Sequence, residues 1–598
     1  MNRTDLESHP DDAGATDRSE PADSRLTRLA LLLPVICAPL GLAVAILASF
    51  MVAGWRVEHS LIVQAETQWR PAEALALRVH VLDGDNAGIA SARVHASLRR
   101  GEQSVDLAEM VDGLGNGATQ ATLQVPGWSP GPAELVLAVR GGNQEFTEVV
   151  PIEVTPAREA KRGTLTISTS VKNWTDDTEP QPEQLRIALR PLGRLAAGFE
   201  NTLLVRVTYP TGNPYVGPLE VHLLDGEFGG ERGGREGPVR IVEGRTDASG
   251  LLRFDGQLST DVLRLEVRVP APAPVPEAMP SPDPCPKCEV GGHTIKPIEL
   301  PAVISDQAGQ PAATPKWLGT RKFRLVSFAG AVRVSAEPLA LAPGGVLSVA
   351  ARGLRTKQLV YVDLHGPDGA WIDTLDPVTG PEPPRAWTVG PLNPGFLQIE
   401  AYQFATSPGE STALTRVQIT EGEPNTDAAL APLFVQQRAL LELGRVEKGF
   451  DRDLERKYLD WLEQAEVAAA DVPLARAWLL GTLPVEVLGP PVATSTLARE
   501  LADVTARRLT WVTGLRWFIL GGGGVLLLLT LLLIVYSHRQ AAERLSREIH
   551  GEDATATIAH EIRQAQRSVL LRAVAMVVTM AFGLVLTVVV LDKLLWKT

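Results

Sequence analysis

The sequence predicts a mainly β chain: tandem β-sandwiches, then a small juxtamembrane helical region, held by three transmembrane helices. Three observations predict it. Segments of alternating apolar and polar residues recur with turn signals between them, and three long apolar runs flank them. The composition, with 53 glycines, 45 prolines and 5% aromatics in 598 residues, suits many short strands and turns. That length accommodates several domains. The net charge of −13 argues against nucleic acid as a partner, because no basic face is built to meet phosphates. Three cysteines are too few for a disulfide-rich scaffold.

Residues 1–27 are acidic and polar with no apolar period, so they are expected to remain a disordered cytoplasmic tail. The first apolar run, "LALLLPVICAPLGLAVAILASFMVAGW" from Leu29 to Trp55, predicts a span over 28–55. It exceeds the roughly 20 residues that cross hydrocarbon and is too long for a signal-peptide core of about 7–15. Its Cys37 lacks the small preceding residues of a lipoprotein cleavage site. The second run, "WFILGGGGVLLLLTLLLIVY", predicts a span over 516–536, and the third, from Ser568, a span over 568–596 with Trp596 as interfacial anchor.

Arginine placement orients these spans. Arg25 and Arg28 precede the first, and Arg539, Arg544, Arg547, Arg563 and Arg567 lie in the loop 537–567. Positive residues stay in the cytoplasm, so the N-terminus and that loop, read as a helical hairpin, are expected inside. Arg507, Arg508 and Arg516 lie on the opposite side without reversing the balance. Residues 56–515 are then expected outside the cytoplasm. The expected location is the inner membrane, multi-pass, with a large periplasmic domain.

That outer region is built of three related segments. "RPAEALALRVHVLDGDNAGIASARVHASL" begins at Arg70, "AAGFENTLLVRVTYPTGNPYVGPLEVHLLDG" at Ala196 and "LAPGGVLSVAARGLRTKQLVYVDLHGPDG" at Leu341. Leu75, Leu77, Val79 and Val81 alternate in the first, as do Leu203, Val205, Val207 and Tyr209 in the second. A period of two puts such residues on one face of a half-buried strand. Later come "GNGATQATLQV", "TDASGLLRF" and "LNPGFLQIEAY". Turn signals at this density predict β-sandwiches over 60–160, 185–330 and 331–422, the second carrying a proline-rich insertion over 270–315. The alternation in "RPAEALALRVHVLDGDNAGIASARV" and the "TDASGLLRF" pattern resemble the macroglobulin-type Ig-like domains of the alpha-macroglobulins. The resemblance implies the sandwich module alone. That family's thioester needs a Cys followed closely by Glu-Gln, whereas Cys288 is followed by "EVGGH".

From residue 424 to 515 the spacing becomes helical, with Thr426 or Asp427 and Asp451 as candidate N-caps. "TSTLARELADVTARRLTWVTGLRWF" is expected to run straight into the second span.

Within the insertion, "CPKCEVGGH" pairs Cys285 with Cys288. Haem attachment needs His directly after the second Cys, where Glu289 stands. A zinc site usually wants a second ligand pair, and a thioredoxin-type couple a helix N-terminus; this flank is proline-rich. On the oxidising side of a membrane the two thiols are expected to form a local disulfide. "DGDNAG", Asp83–Gly88, opens like an EF-hand loop, but its twelfth position is Val94, so a tight turn is expected. "ATIAHEIRQ" around His560 resembles the phosphoacceptor box of sensor histidine kinases. Ala565 replaces the usual proline and a span follows at once, so an amphipathic helix is expected. His80, His95 and His222 are expected on solvated sheet faces. Gly521, Gly522, Gly523 and Gly524 inside the second span are expected to pack closely against the first or third.

No nucleophile–base set, cofactor motif or metal cluster stands out, so the chain is read as no enzyme, without cofactors. The expected function is a membrane-anchored extracytoplasmic binding or scaffold protein of the cell envelope, with envelope proteins or polysaccharide as partners. The alternative is an accessory subunit of a membrane transport or signalling complex.

Overall fold

Alternation in the sequence becomes pleated sheet in the structure. The computed structural model describes residues 22–142, 144–161, 165–167, 171–173, 183–234, 237–271, 317–327, 332–355, 357–379, 384–388, 392–406, 408–409, 411–443, 451–483, 485–549 and 556–596. The chain divides into two units, one of Met1–Leu61, Leu82–Ala87 and Ser495–Thr598, the other of Ile62–Val81 and Gly88–Thr494.

In the larger unit most strands form three pairs of sheets, and Leu165–Ile167 pairs with Val485–Val487 in a separate two-stranded sheet. The first sandwich contains β1 (His59–Ala65), β2 (Ala74–Asp83), β3 (Arg93–Arg100), β4 (Gln103–Val111), β5 (Ala118–Gln124), β6 (Gly131–Gly141) and β7 (Gln144–Val154). One sheet runs β1-β2-β5, with the late strand Val492–Ser495 at its edge, and the other runs β7-β6-β3-β4. Leu75, Leu77, Val79 and Val81 are buried, as the period of two requires.

The second sandwich contains β8 (Arg186–Pro191), β9 (Glu200–Thr208), β10 (Pro218–Phe228), β11 (Val239–Arg245), β12 (Leu251–Gln257), β13 (Val262–Pro270) and β14 (Trp317–Val326). Its core draws Ile187, Leu189 and Val205 from the β8-β9-β12 sheet. The β14-β13-β10-β11 sheet supplies Leu219, Val221 and Leu223, with Leu265 and Phe323 beside them.

The third sandwich contains β15 (Val332–Glu337), β16 (Val346–Gly353), β17 (Leu359–His365), β18 (Trp371–Thr379), β19 (Arg385–Thr388), β20 (Gly395–Tyr402) and β21 (Ala413–Ile419). Its sheets run β15-β16-β19 and β18-β17-β20-β21, and both feed one core.

The repeated sequence signatures are one physical device. In the first sandwich the Val81 amide donates to the Gly117 carbonyl at 2.8 Å; in the second the Val207 amide donates to the Gly250 carbonyl at 2.9 Å. Gly117 and Gly250 have φ of +75° and +74°, and a Cβ at either would collide with the carbonyl oxygen of Val81 or Val207. Only glycine combines that backbone with that approach.

Helices α2 (Ala431–Glu442), α3 (Arg452–Gln464) and α4 (Val472–Gly481) form a layer on the second sandwich. Here α1 denotes Ala22–Ala53 of the smaller unit. Asp451 caps α3, accepting from the Asp453 and Leu454 amides at 3.0 and 3.2 Å, while the Thr426 side chain makes no cap bond. Leu433, Tyr458, Leu462 and Trp478 bury against Ala188, Leu204 and Leu251, which lie on the strands of the three-stranded sheet. Arg206 threads this layer. It donates to both Glu455 oxygens, at 2.5 and 2.9 Å, and lies over the Tyr458 and Trp478 rings.

The smaller unit contains α1, α5 (Leu497–Trp517), a π-helical turn (Phe518–Gly522), α6 (Gly523–Ile549) and α7 (Ala556–Leu594). Three segments, Ile36–Ala53, Leu497–Gln540 and Leu570–Leu594, are long and apolar enough to cross a membrane. One end of the three-helix packing is aromatic and charged. Trp55 meets Trp511 edge to face at 6.1 Å, Arg516 lies over Trp596, and Arg516 pairs with Asp592.

Glu455 is the anionic partner of a buried arginine, and removing one partner strands the other's charge at a cost of about 3–5 kcal/mol. Glu455→Ala is therefore expected to lower the urea midpoint of the full chain in detergent, followed by tryptophan fluorescence. An unchanged midpoint would refute the assignment.

Candidate functional site: a sealed ionic joint

A period of two places Arg78 and His80 of β2 opposite the core residues Leu77, Val79 and Val81, on the face expected to meet water. The third sandwich covers that face instead. The side chains of Arg78 and Asp363 are both 0% exposed. Arg78 Nη2 donates to Asp363 Oδ1 at 2.7 Å and to Thr374 Oγ1 at 2.9 Å. Its Nη1 donates to the Tyr402 hydroxyl at 2.8 Å and Asp363 Oδ2 at 3.4 Å, and its Nε to Gln120 Oε1 at 3.0 Å. Each guanidinium N–H thus has an acceptor. The guanidinium also lies over the rings of Tyr361, at 4.7 Å, and Trp371, at 5.1 Å. Tyr402 in turn donates to Asp363.

The electrostatics follow from this packing. Burial works to lower the Arg78 pKa, but Asp363 and Tyr402 outweigh it and hold the guanidinium above its ordinary value. Burial pushes the Tyr402 hydroxyl well up, so it stays protonated and able to donate. His80, 5% exposed, is pushed down to about 4, by burial first and by Arg78 second, with Asp363 opposing. Its Nε2 lies 3.2 Å from Gln64 Oε1, and Gln64 Nε2 donates to the Ala405 carbonyl at 2.6 Å.

Further ion pairs extend the joint. Arg158 donates to both Glu73 oxygens, at 3.0 and 2.9 Å, and to Asp368 Oδ2 at 2.9 Å. Lys161 pairs with Glu66, whose other oxygen accepts from the Trp371 amide at 2.8 Å. Burial raises the Asp368 pKa, but Arg158 overcomes this and the net shift is downward. The Arg78–Asp363 centre is closed to water with every Arg78 N–H met, whereas at the margin Lys161, Glu73 and Asp368 keep 35%, 18% and 17% exposure and the buried Trp371 Nε1 has no hydrogen-bond partner. The joint fixes the orientation of the first sandwich against the third.

The residues singled out in the sequence fall elsewhere. Cys285 and Cys288 lie outside the described residues. Gly523 packs on α7, where a Cβ would meet Leu584 Cδ1 at 2.5 Å; Gly521, Gly522 and Gly524 face nothing within 4 Å. The expectation for His80 needs correction, since the third sandwich buries it. His95 keeps a side-chain exposure of 47% beside Asp106, whereas His222 retains 12% beside Glu220. Asp83 closes the "DGDNAG" turn, its Oδ1 accepting from the Asp85 and Ala87 amides at 2.9 Å. His560 is exposed on α7.

Sequence reasoning missed Arg78, Asp363 and Tyr402. The available signal was "LVYVDLH", in which Val360, Val362 and Leu364 form one apolar face and Leu359 and Tyr361 share the other with Asp363 and His365, a mixed face that suits burial against a polar partner.

No known family profile matches the sequence, and no curated protein matches it. Among solved structures, the chain is similar to the native conformation of E. coli alpha-2-macroglobulin, at 14% identity and a TM-score of 0.15. That alignment covers 62% of this chain and 24% of the other, so this chain spans about a quarter of its length. At that score the likeness carries no argument, and the fold class rests on the strands described above.

The His80 shift gives a pH dependence. Its folded pKa lies below the ordinary 6.5, so the unfolded chain takes up a proton that the folded chain refuses. Stability is therefore expected to fall as pH drops from 6.5 towards 4, by up to about 3 kcal/mol from this group. His80→Gln should flatten the thermal-midpoint profile over that window; an identical profile would overturn the assignment.

Proposed function

We propose that this protein is a non-enzymatic, membrane-anchored binding or scaffold protein of the cell envelope. In this reading the sandwiches lie on the extracytoplasmic side of the inner membrane, and the N-terminus and the 537–567 loop lie in the cytoplasm. The sandwiches present their outer faces to envelope proteins or polysaccharide. The observation that carries the reading is the sealed joint: Arg78 and Asp363 are fully buried and Tyr402 is 1% exposed. Polar side chains committed to saturated contacts between modules support a mechanical role. The aromatic end formed by Trp55, Trp511 and Trp596 supports the reading that these helices cross a membrane, since such residues favour both membrane interfaces, and the orientation rests on the arginines.

The alternative, an accessory subunit of a transport or signalling complex, is favoured by the open faces of Gly521, Gly522 and Gly524 on the second span. Co-purification in mild detergent separates the two. A stoichiometric membrane subunit favours the alternative, and its absence favours the scaffold.

Orientation is tested by single cysteines at Glu102 and His560 in a chain whose native cysteines are serine. An impermeant maleimide added to spheroplasts is expected to label position 102 and spare 560. The reverse pattern would invert the topology.

A further inference from the structure

Three spans leave a cleft of about 530 Å³ between α1, the π turn with α6, and α7. Its walls include Gly41, Gly522, Leu527, Thr530, Gly583 and Thr587. We infer that this cleft holds one acyl chain of a bilayer phospholipid, an inference that rests on the reading that the three helices cross a membrane.

Size decides between occupants. A spanning helix about 10 Å across and 30 Å long fills on the order of 2,400 Å³, several times the space present. An apolar cavity of about 150 Å³ holds benzene, six carbons, so in proportion this one accommodates roughly 20 carbons. That is the scale of one lipid chain.

The walls match its chemistry. Gly41, Gly522 and Gly583 have no heavy atom within 4 Å of where a Cβ would stand, which leaves room for the chain. The hydroxyls of Thr530 and Thr587 donate to their own helix, to the Leu526 carbonyl at 2.7 Å and the Gly583 carbonyl at 2.9 Å. They demand nothing from a ligand. Among the described residues lining the cleft there is no Lys, Arg or His to meet the carboxylate of a free fatty acid. A phospholipid chain, its headgroup remaining at the interface, leaves no charge in the cleft.

The test uses the full chain in phosphatidylcholine vesicles whose acyl chains carry a diazirine. One sample is irradiated in the vesicles and another after exchange into lipid-free detergent. Irradiation in vesicles should label Val578 and Phe582, which lie outside the cleft and are 61% and 70% exposed. No label there would defeat the membrane reading itself. After exchange, about one lipid per chain should remain and label Leu526, Leu527 and Leu584. Gly522→Leu with Gly583→Leu should reduce that retained label at least fivefold without changing the vesicle pattern. A parallel sample carries a free diazirine fatty acid with unlabelled phosphatidylcholine. The inference is overturned by loss of all lipid on exchange, by retained label that ignores the two leucines, by retention of the fatty acid in that parallel sample, or by a stoichiometric protein subunit shielding the cleft.

Discussion

Arg78 cannot be buried alone, and that constraint organises the contact between the first and third sandwiches. A guanidinium away from water costs several kcal/mol unless its charge and its N–H groups are met. Asp363, Tyr402, Thr374 and Gln120 meet them, and they come from both sandwiches. The bonds form only when β2 of one module and β17, β18 and β20 of the other are in register. An apolar contact would tolerate sliding; this one does not. Buried ion pairs add little net stability over apolar packing, so the cores provide cohesion and the joint provides orientation.

The same arrangement recurs on the second sandwich. Arg206 is fixed by Glu455 and by the faces of Tyr458 and Trp478, as Arg78 is fixed by Asp363 and the faces of Tyr361 and Trp371. Burial alone would raise the Glu455 pKa, but Arg206 and Arg190 more than offset it and the carboxylate stays charged. In both places a planar cation stacks on aromatic rings while its edge meets a carboxylate, a geometry lysine could not reproduce; every Arg78 N–H finds an acceptor, whereas Arg206 Nε is buried without one. Modules with mainly apolar cores are thus joined by arginine as well as by apolar contact.

Sandwiches and spans are legible in the sequence because each rests on a short-range pattern: a period of two in β2 and β9, and an uninterrupted apolar run in α1, α6 and α7. The joint is not legible. Arg78 and His80 occupy the polar positions of an amphipathic strand. Nothing local distinguishes a face covered by water from one covered by a module whose Asp363 comes 285 residues later. His95 has the same local pattern and is solvated. Asp363 is the better clue, because a carboxylate beside Leu359 and Tyr361 on one face of a strand whose other face is apolar needs a partner from outside its own sheet.

The glycine run shows a similar limit within the smaller unit. Sequence alone treats Gly521, Gly522, Gly523 and Gly524 as equivalent, yet only Gly523 meets α7. Helical geometry explains how adjacent glycines come to differ, since successive residues point about 100° apart and four in a row cannot all face one neighbour. Gly523 then closes the contact with Leu584 while Gly522 opens onto the cleft. Helix periodicity and the absent side chains therefore act together: the first sets the direction of each glycine, and what stands in that direction determines whether the missing side chain leaves a contact, as at Gly523, or a space, as at Gly522.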